Sequence, residues 1–321
     1  MKFGAILSGS FLVFSLFGLP IPQALGQNYP WLNVGSYDPD QTIEKRIAIP
    51  EGFQRVGIES ESFAEWLRRL PLRPGKPPVR LYPVSEGKLK GRQDVHFAVV
   101  DITVLRFQEC ADAIIRLRAE YLWSMGRADE VCFNFTSGDP CCWKEWRCGW
   151  RPRIVEGAKL TWSQTGSADA SYEQFTRYLD KVMEYAGTAS LSEELVAISP
   201  NQLKIGDVII EGGFPGHAVL VLDMVEDGRG ETMMLLGQSF MPAQEFHVLK
   251  NPGSSSPWYE AEFGVNLETP QWNFQRSHCR RFPDQMERRV DGGHSIGRAG
   301  REKPWIGCVL TGVRRQRNSA F

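Results

Sequence analysis

The chain has 321 residues, of which 42% are hydrophobic and 23% charged, so its composition excludes collagen-like, coiled-coil and fully disordered proteins. Lys and Arg total 37 against 38 for Asp and Glu, and the formal charge of −1 argues against a nucleic-acid-binding protein, which carries a basic field. The length allows one large domain or two small ones.

The N-terminus has the pattern of a secretory signal peptide over residues 1–26. Lys2 supplies a positive start, residues 5–19 are an apolar run, and Ala24-Leu25-Gly26 offers small residues for cleavage. The apolar run has about 15 residues, fewer than the roughly 20 that span a bilayer, which argues against the alternative of a membrane anchor. The sequence predicts an exported protein, periplasmic or extracellular, with no integral membrane segment after signal removal.

Export would place seven cysteines in an oxidising compartment. An odd number implies at least one unpaired thiol or an intermolecular bridge. Pairing among the six others would leave Cys110 free, but six cysteines allow many connectivities. No Cys-x-x-Cys spacing supports a zinc site. The seven are Cys110, Cys132, Cys141, Cys142, Cys148, Cys279 and Cys308.

After an irregular lead-in over residues 27–46, a single α+β domain is predicted over residues 47–282. Its first helix, residues 62–70, has Ser62 and Glu65 as a capping box and an apolar face at helical spacing. Strands are predicted at residues 79–82 and 95–104.

The next helix begins near Cys110 and ends at Gly126, and its charged residues Arg116, Arg118 and Glu120 are predicted to face solvent. Residues 136–170 are rich in Trp, Cys and Gly, which predicts an inserted loop held by disulfides.

A helix over residues 172–186 follows the insertion, with Ser171 at its N-cap. Strands are then predicted at residues 208–210, 217–225, 232–239 and 246–249, with a hairpin turn at residues 227–230. Helices followed by an antiparallel sheet are typical of α+β proteins.

Residues 283–321 form the basic end of the chain and contain few apolar residues. The composition predicts a disordered tail, with electrostatic contact to an anionic envelope polymer as the alternative. The basic residues are Arg288, Arg289, Arg298, Arg301, Lys303, Arg314, Arg315 and Arg317.

Three residues could carry chemistry together. Cys110 lies at a helix start, where the helix dipole favours a thiolate and lowers the thiol pKa. His217 opens a buried strand after a glycine-rich loop and could act as its general base. If the hairpin is centred between Gly228 and Arg229, Gln238 becomes a diagonal neighbour of His217 and could orient it, whereas a one-residue shift would aim Ser239 there instead.

Each of these residues also has an ordinary structural interpretation. Cys110 could be a buried cysteine or half of a disulfide, His217 a core histidine, and Gln238 a side chain bonded to loop backbone. A metal ion could be held by His96 with the nearby Asp94 and Asp101, or by His217 and His247 with an acid. No HExxH, phosphate-binding loop or dinucleotide motif is present, so no metal and no cofactor is predicted.

The order of these features resembles that of papain-like thiol hydrolases, closest to the NlpC-type and CHAP-type peptidoglycan amidases and endopeptidases. Gly206-Asp207-Val208 and Gly216-His217-Ala218-Val219 carry the resemblance. It implies a papain-like core in which the helix bearing Cys110 packs on an antiparallel sheet. The chain departs from the pattern in having Ala-Asp-Ala after the cysteine and glutamine as third member.

Longer segments resemble an exported bacterial family known only as a domain of unknown function, which implies no activity. They are Glu51-Gly52-Phe53, Ser62-Phe63, Trp66-Leu67-Arg68, Leu70-Pro71-Leu72, Cys110-Ala111-Asp112-Ala113, residues 116–122, residues 185–191, Gly212-Gly213-Phe214-Pro215-Gly216-His217-Ala218 and Met241-Pro242-Ala243-Gln244-Glu245.

The predicted function is an exported thiol hydrolase of the cell envelope that cuts an amide or peptide bond, with peptidoglycan peptides as the substrate class. Cys110 would attack the carbonyl carbon, His217 would move the proton, and Gln238 would orient His217. The alternative is a non-catalytic protein that binds an envelope polymer through the Trp-rich insertion.

Overall fold

The computed structural model describes residues 29–33, 35–155 and 159–283. The predicted signal peptide and all but the first residue of the predicted tail lie outside the described residues, as does Cys308. The strands within these ranges are, in chain order, β1 (Phe53–Arg55), β2 (His96–Val99), β3 (Cys132–Asn134), β4 (Pro140–Cys142), β5 (Trp150–Val155), β6 (Lys159–Gln164), β7 (Val196–Ala197), β8 (Val208–Glu211), β9 (His217–Asp227), β10 (Thr232–Gln238), β11 (His247–Leu249), β12 (Trp258–Glu260), β13 (Asn266–Glu268), β14 (Asn273–Gln275) and β15 (Cys279–Arg281).

A nine-stranded sheet dominates the structure. Its order is β2-β11-β10-β9-β8-β15-β7, with β1 paired to β9 and β12 paired to β10. All of these pairings are antiparallel. The central strand β9 is buried from His217 to Val225, as its apolar run predicts.

The helices of the described residues are fewer than the strands. The longest, α3, contacts β9 and β10 on one side and α2 and α6 on others, so it is enclosed along its length. The helices are α1 (Ile43–Arg46), α2 (Phe63–Arg68), α3 (Cys110–Ser124), α4 (Trp143–Trp146), α5 (Tyr172–Tyr185) and α6 (Thr188–Glu194).

The predicted papain-like α+β core, with the helix of Cys110 packed on an antiparallel sheet, is wrong. The structure is sheet-rich: strands from the N-terminal part (β1, β2), the middle and the C-terminal part (β12, β15) all join one nine-stranded sheet. Most of these strands have only two to four residues, which is too short to show the alternation that identifies a strand in a sequence.

Two helix starts follow the predicted capping chemistry. The Ser62 hydroxyl accepts a hydrogen bond from the N–H of Glu65 at 3.1 Å, and the Ser171 hydroxyl accepts one from the N–H of Gln174 at 3.3 Å. Each bond satisfies a backbone donor that the helix itself cannot pair. These contacts confirm that α2 and α5 begin where the sequence predicts.

The predicted solvent face of α3 is instead buried. Arg116, Arg118 and Glu120 are at most 3% exposed. Arg116 donates to Gln108 Oε1 at 2.6 Å and lies 3.4 Å from Glu120 Oε1, which also accepts from the Tyr172 hydroxyl at 2.7 Å. Charged residues at helical spacing predicted a surface helix, but in an enclosed helix they pair internally.

The Trp- and Cys-rich insertion is a folded part of the domain. A disulfide joins Cys132 in β3 to Cys142 in β4. In α4, Trp143 and Trp146 are 1% and 6% exposed, and Trp143 packs against Phe175 with ring centroids 5.2 Å apart. These two tryptophans are core residues, whereas Trp150 in β5 is 37% exposed.

None of the helices in the described part of the chain combines the length and the apolar character that crossing a bilayer would require.

Candidate active site

A bulge between β9 and β10 sets which residue faces His217. Near the turn, Thr232 pairs with Glu226 and Leu235 with Asp223, a hairpin centred on Arg229. The register shifts between Leu235 and Leu236, so that Gly237 pairs with Leu220. Continuing this register makes Gln238 a diagonal neighbour of His217, the arrangement that the sequence predicts.

His217 and Gln238 form a buried hydrogen-bonded pair. The ring Nε2 of His217 lies 2.7 Å from Gln238 Oε1, and Gln238 Nε2 donates to Gln271 Oε1 at 2.9 Å. Because the second bond uses the amide donor of Gln238, the oxygen faces the imidazole. The ring therefore carries its proton on Nε2 and leaves Nδ1 with a lone pair, the state that a base needs.

The imidazole is also fixed by aromatic side chains. Its ring centroid lies 4.8 Å from that of Phe240 and 5.4 Å from that of Trp272. The indole N–H of Trp272 donates to Glu211 Oε2 at 2.9 Å, which holds that side chain in turn. His217 is 2% exposed, so its orientation is set by packing on several sides.

Cys110 is a free thiol at the first residue of α3. Asp112 accepts a hydrogen bond from the N–H of Glu109 at 3.1 Å and closes the helix start. Backbone hydrogen bonds from Ala111 and Ala218 reach the sulfur and act to lower its pKa. Ala218 directly follows His217, so the sulfur lies against the first residues of β9.

Burial, not the helix dipole, sets the charge state of the site. Burial, helped by the nearby Asp112, raises the pKa of the Cys110 thiol to about 12. Burial lowers the pKa of His217 to about 4, although the Gln238 hydrogen bond opposes that shift. The predicted low thiol pKa is therefore not found: at neutral pH both groups are uncharged.

A cleft of about 440 Å³ opens above Cys110. Its walls are the start of α3, the start of α6, the Gly213–Gly216 loop and residues 241–243. The loop is tightly held, because Thr188 Oγ1 donates to Gly213 O at 3.1 Å and a Cβ on Gly216 would lie 2.3 Å from Thr188 Oγ1. His217 follows this loop and lies behind it.

Sequence reasoning missed several residues of the site. Gln271 lies 33 positions beyond Gln238 with no motif around it, so nothing in the chain marks it as a partner of the catalytic candidates. Thr188 contacts the loop only through tertiary packing. Lys90 is 6% exposed, its Nζ lies 4.8 Å from the Phe240 ring centroid, and it acts to lower the pKa of His217.

The other two candidate metal-binding histidines lie beyond β10 in the sheet, His247 on β11 and His96 on β2. His96 and His247 have ring centroids 6.2 Å apart; His96 Nε2 bonds Pro77 O and His247 Nδ1 bonds Glu245 O, both at 3.0 Å. Over residues 29–33, 35–155 and 159–283, no group of three or more His, Cys, Asp or Glu side chains could hold a metal ion.

His247 should make stability depend on pH. Burial lowers its pKa from 6.5 to about 3, so below pH 6.5 the unfolded chain binds a proton that the folded chain does not, and stability falls as pH falls. Between pH 7 and 5 this group should cost about 2 kcal/mol. The unfolding free energy of His247→Gln, measured in urea, should fall by about 2 kcal/mol less than that of wild type between pH 7 and 5. The two free energies should run parallel from pH 7 to 8. Equal losses from pH 7 to 5 would contradict the assignment.

Comparison with known proteins supports the resemblance to a family of unknown function, and it assigns no activity to the chain. A family model described as "Domain of unknown function (4846)" matches residues 43–281. No curated protein and no solved structure matches the chain.

Proposed function

The chain belongs to the family of domains of unknown function numbered 4846, and from its own site we propose that it is a thiol hydrolase that cleaves an amide or peptide bond. The description of the family assigns no activity. One observation carries the proposal. A free thiol at the start of α3 lines a cleft and lies against Ala218, the residue that follows His217, whose imidazole Gln238 holds as a base.

The proposed reaction starts from an uncharged Cys110 thiol and an uncharged His217 imidazole. As substrate enters, His217 Nδ1 takes the thiol proton while the Cys110 sulfur bonds the carbonyl carbon. Backbone N–H groups at the start of α3 stabilise the resulting oxyanion. The C–N bond then breaks, and the imidazolium gives its proton to the departing amine. A water, deprotonated by His217, attacks the thioester, which releases the carboxylic acid and restores the thiol.

Gln238 acts as a positioning residue in this scheme. Its Oε1 accepts a hydrogen bond from the Nε2–H of His217 and so fixes the tautomer. Gln271 in turn accepts a hydrogen bond from the Gln238 amide and fixes its orientation. When the imidazole becomes cationic, the same oxygen stabilises it. This is the role that an Asn, His or acid plays elsewhere in thiol hydrolases, and the proposal rests on these residues rather than on likeness of fold.

We further propose an exported protein, periplasmic or extracellular, with envelope peptides as substrates. The Cys132–Cys142 disulfide supports this, because disulfides persist in oxidising compartments. The test is to incubate the chain lacking residues 1–26 with purified peptidoglycan and with a mixed peptide library. New amines, identified by mass spectrometry and absent with Cys110→Ala, are expected. No cleavage of either, together with a Cys110 that resists alkylation in the folded protein, would overturn the proposal.

The acid limb of the pH–rate profile should report His217. The base must be neutral to accept the thiol proton, and its pKa is about 4, so kcat/KM should rise between pH 3 and 5 and then level off. In Gln238→Ala the acid limb should move to lower pH, because the Gln238 hydrogen bond raises the pKa of His217. Circular dichroism at each pH controls for unfolding. A limb near 6.5 in folded protein would contradict the buried base.

A further inference from the structure

Three exposed apolar side chains surround the cleft above Cys110. Tyr82, Phe214 and Met241 are 40%, 84% and 62% exposed and line the same cleft; we call them the apolar rim. Single exposed apolar residues are ordinary on a protein surface, but a cluster around a concave site indicates a binding surface. The three come from distant parts of the chain, so no local pattern explains their meeting.

The rim is held in place before any ligand binds. The N–H of Tyr82 donates to Ala243 O at 2.8 Å, which joins the segment of Tyr82 to that of Met241. The loop carrying Phe214 is fixed by the Thr188–Gly213 hydrogen bond and by the lack of space at Gly216. A prearranged apolar surface loses little conformational freedom when it binds, and so favours affinity.

Two carboxyl groups flank Cys110 in the cleft. Glu109 and Asp112 both line it, burial raises the pKa of each, and their surroundings therefore disfavour a negative charge; the exposed Arg106 also lines the cleft. A substrate carboxylate beside the reacting carbonyl would lose its water in these surroundings, whereas an uncharged apolar group would meet the rim.

We propose that the substrate carries a bulky apolar or aromatic side chain on the carbonyl side of the bond that is cut, and that the apolar rim binds it. The inference rests on the proposed thiol hydrolase and adds its substrate class. An acidic residue at that position is disfavoured, so we expect the bond cut in an envelope peptide to lie after an apolar residue and not after a glutamate.

The test compares three electrophiles that share one warhead: the chloromethyl ketones of acetyl-phenylalanine, acetyl-glycine and acetyl-glutamate. Second-order rates of Cys110 alkylation are followed by intact mass, and the site is mapped by peptide digestion. The phenylalanine reagent should react at least tenfold faster than the glycine reagent, because its side chain leaves water on binding. The glutamate reagent should be the slowest.

Rim variants locate the effect. Phe214→Ser combined with Met241→Ser should bring the ratio of the phenylalanine rate to the glycine rate close to one. Val265→Ser is the matched control, because Val265 is 81% exposed and does not line the cleft. All these side chains are exposed, so the variants should keep the wild-type melting temperature.

The two proposals fail differently. Equal rates for the three reagents, or a preference that survives the rim substitutions, would overturn the inference and leave a reactive nucleophile in place. A Cys110 that none of the reagents modifies in folded protein, but that reacts in urea, would overturn the thiol hydrolase and the inference with it.

Discussion

Cys110→Ala should lose at least about 10³-fold in kcat/KM on any substrate that the protein cleaves, because no other cysteine among the described residues lines the cleft and could form the thioester. His217→Ala should lose nearly as much, since the thiol pKa of about 12 leaves almost no thiolate without a base. The double variant should be little worse than either, because members of one catalytic unit are not additive. Gln238→Ala should cost less, since Gln238 only orients the base.

Two variants serve as controls for this series. Cys279→Ala removes a buried free thiol from β15, outside the cleft, and should retain turnover. Cys110→Ser keeps the shape of the site and guards against loss of folding as the cause. The mechanism fails if Cys110→Ala or His217→Ala retains a tenth of wild-type turnover, or if the double variant shows the product of the single losses.

Asp223→Ala should destabilise the domain by about 3–5 kcal/mol, the cost of leaving buried charges without their partner. Asp223 lies on β9, is 0% exposed, and accepts hydrogen bonds from Arg68 Nε at 2.7 Å and from Arg55. Removing the carboxylate leaves the guanidinium groups of Arg55 and Arg68 without their acidic partner. Urea unfolding at pH 7 measures the change in unfolding free energy.

Glu226→Ala on the same strand is the matched control, because Glu226 is partly exposed and should change stability by no more than about 0.5 kcal/mol. Asp223→Ala at wild-type stability would show that the ion pairs contribute nothing. Restoring stability by combining Asp223→Leu with Arg68→Met and Arg55→Met would show that the cost lies in unpaired charge and not in lost volume.

The sequence predicted the parts of the fold that depend on neighbouring residues. Serine caps, apolar stripes and the 227–230 turn place α2, α5, β9 and β10 within a few residues. The architecture was missed because β1, β12 and β15 are three-residue strands whose pairing is decided by partners far away in the chain. Short strands gain stability from the sheet they join and carry little pattern of their own.

The sequence predicted the contact between His217 and Gln238 but not the protonation state of Cys110. Helix position argued for a low thiol pKa, yet burial raises it, and burial depends on the whole fold. The Gln238 contact was predicted from a hairpin centre that lies half a residue away from the real one. The bulge opposite Leu235 and Leu236 restores the register, and no residue in the turn signals it.

The enclosure of α3 bears on how a thiol could survive in an oxidising environment. Cys110 is 7% exposed and begins a helix that is buried through Leu122, so burial restricts the approach of small oxidants to the sulfur. A thiol with a pKa of about 12 is also a poor target for peroxide, which reacts with thiolate. In the proposed hydrolase, such a nucleophile would keep its reduced form without a dedicated reductant, because substrate binding would trigger the proton transfer that makes it reactive.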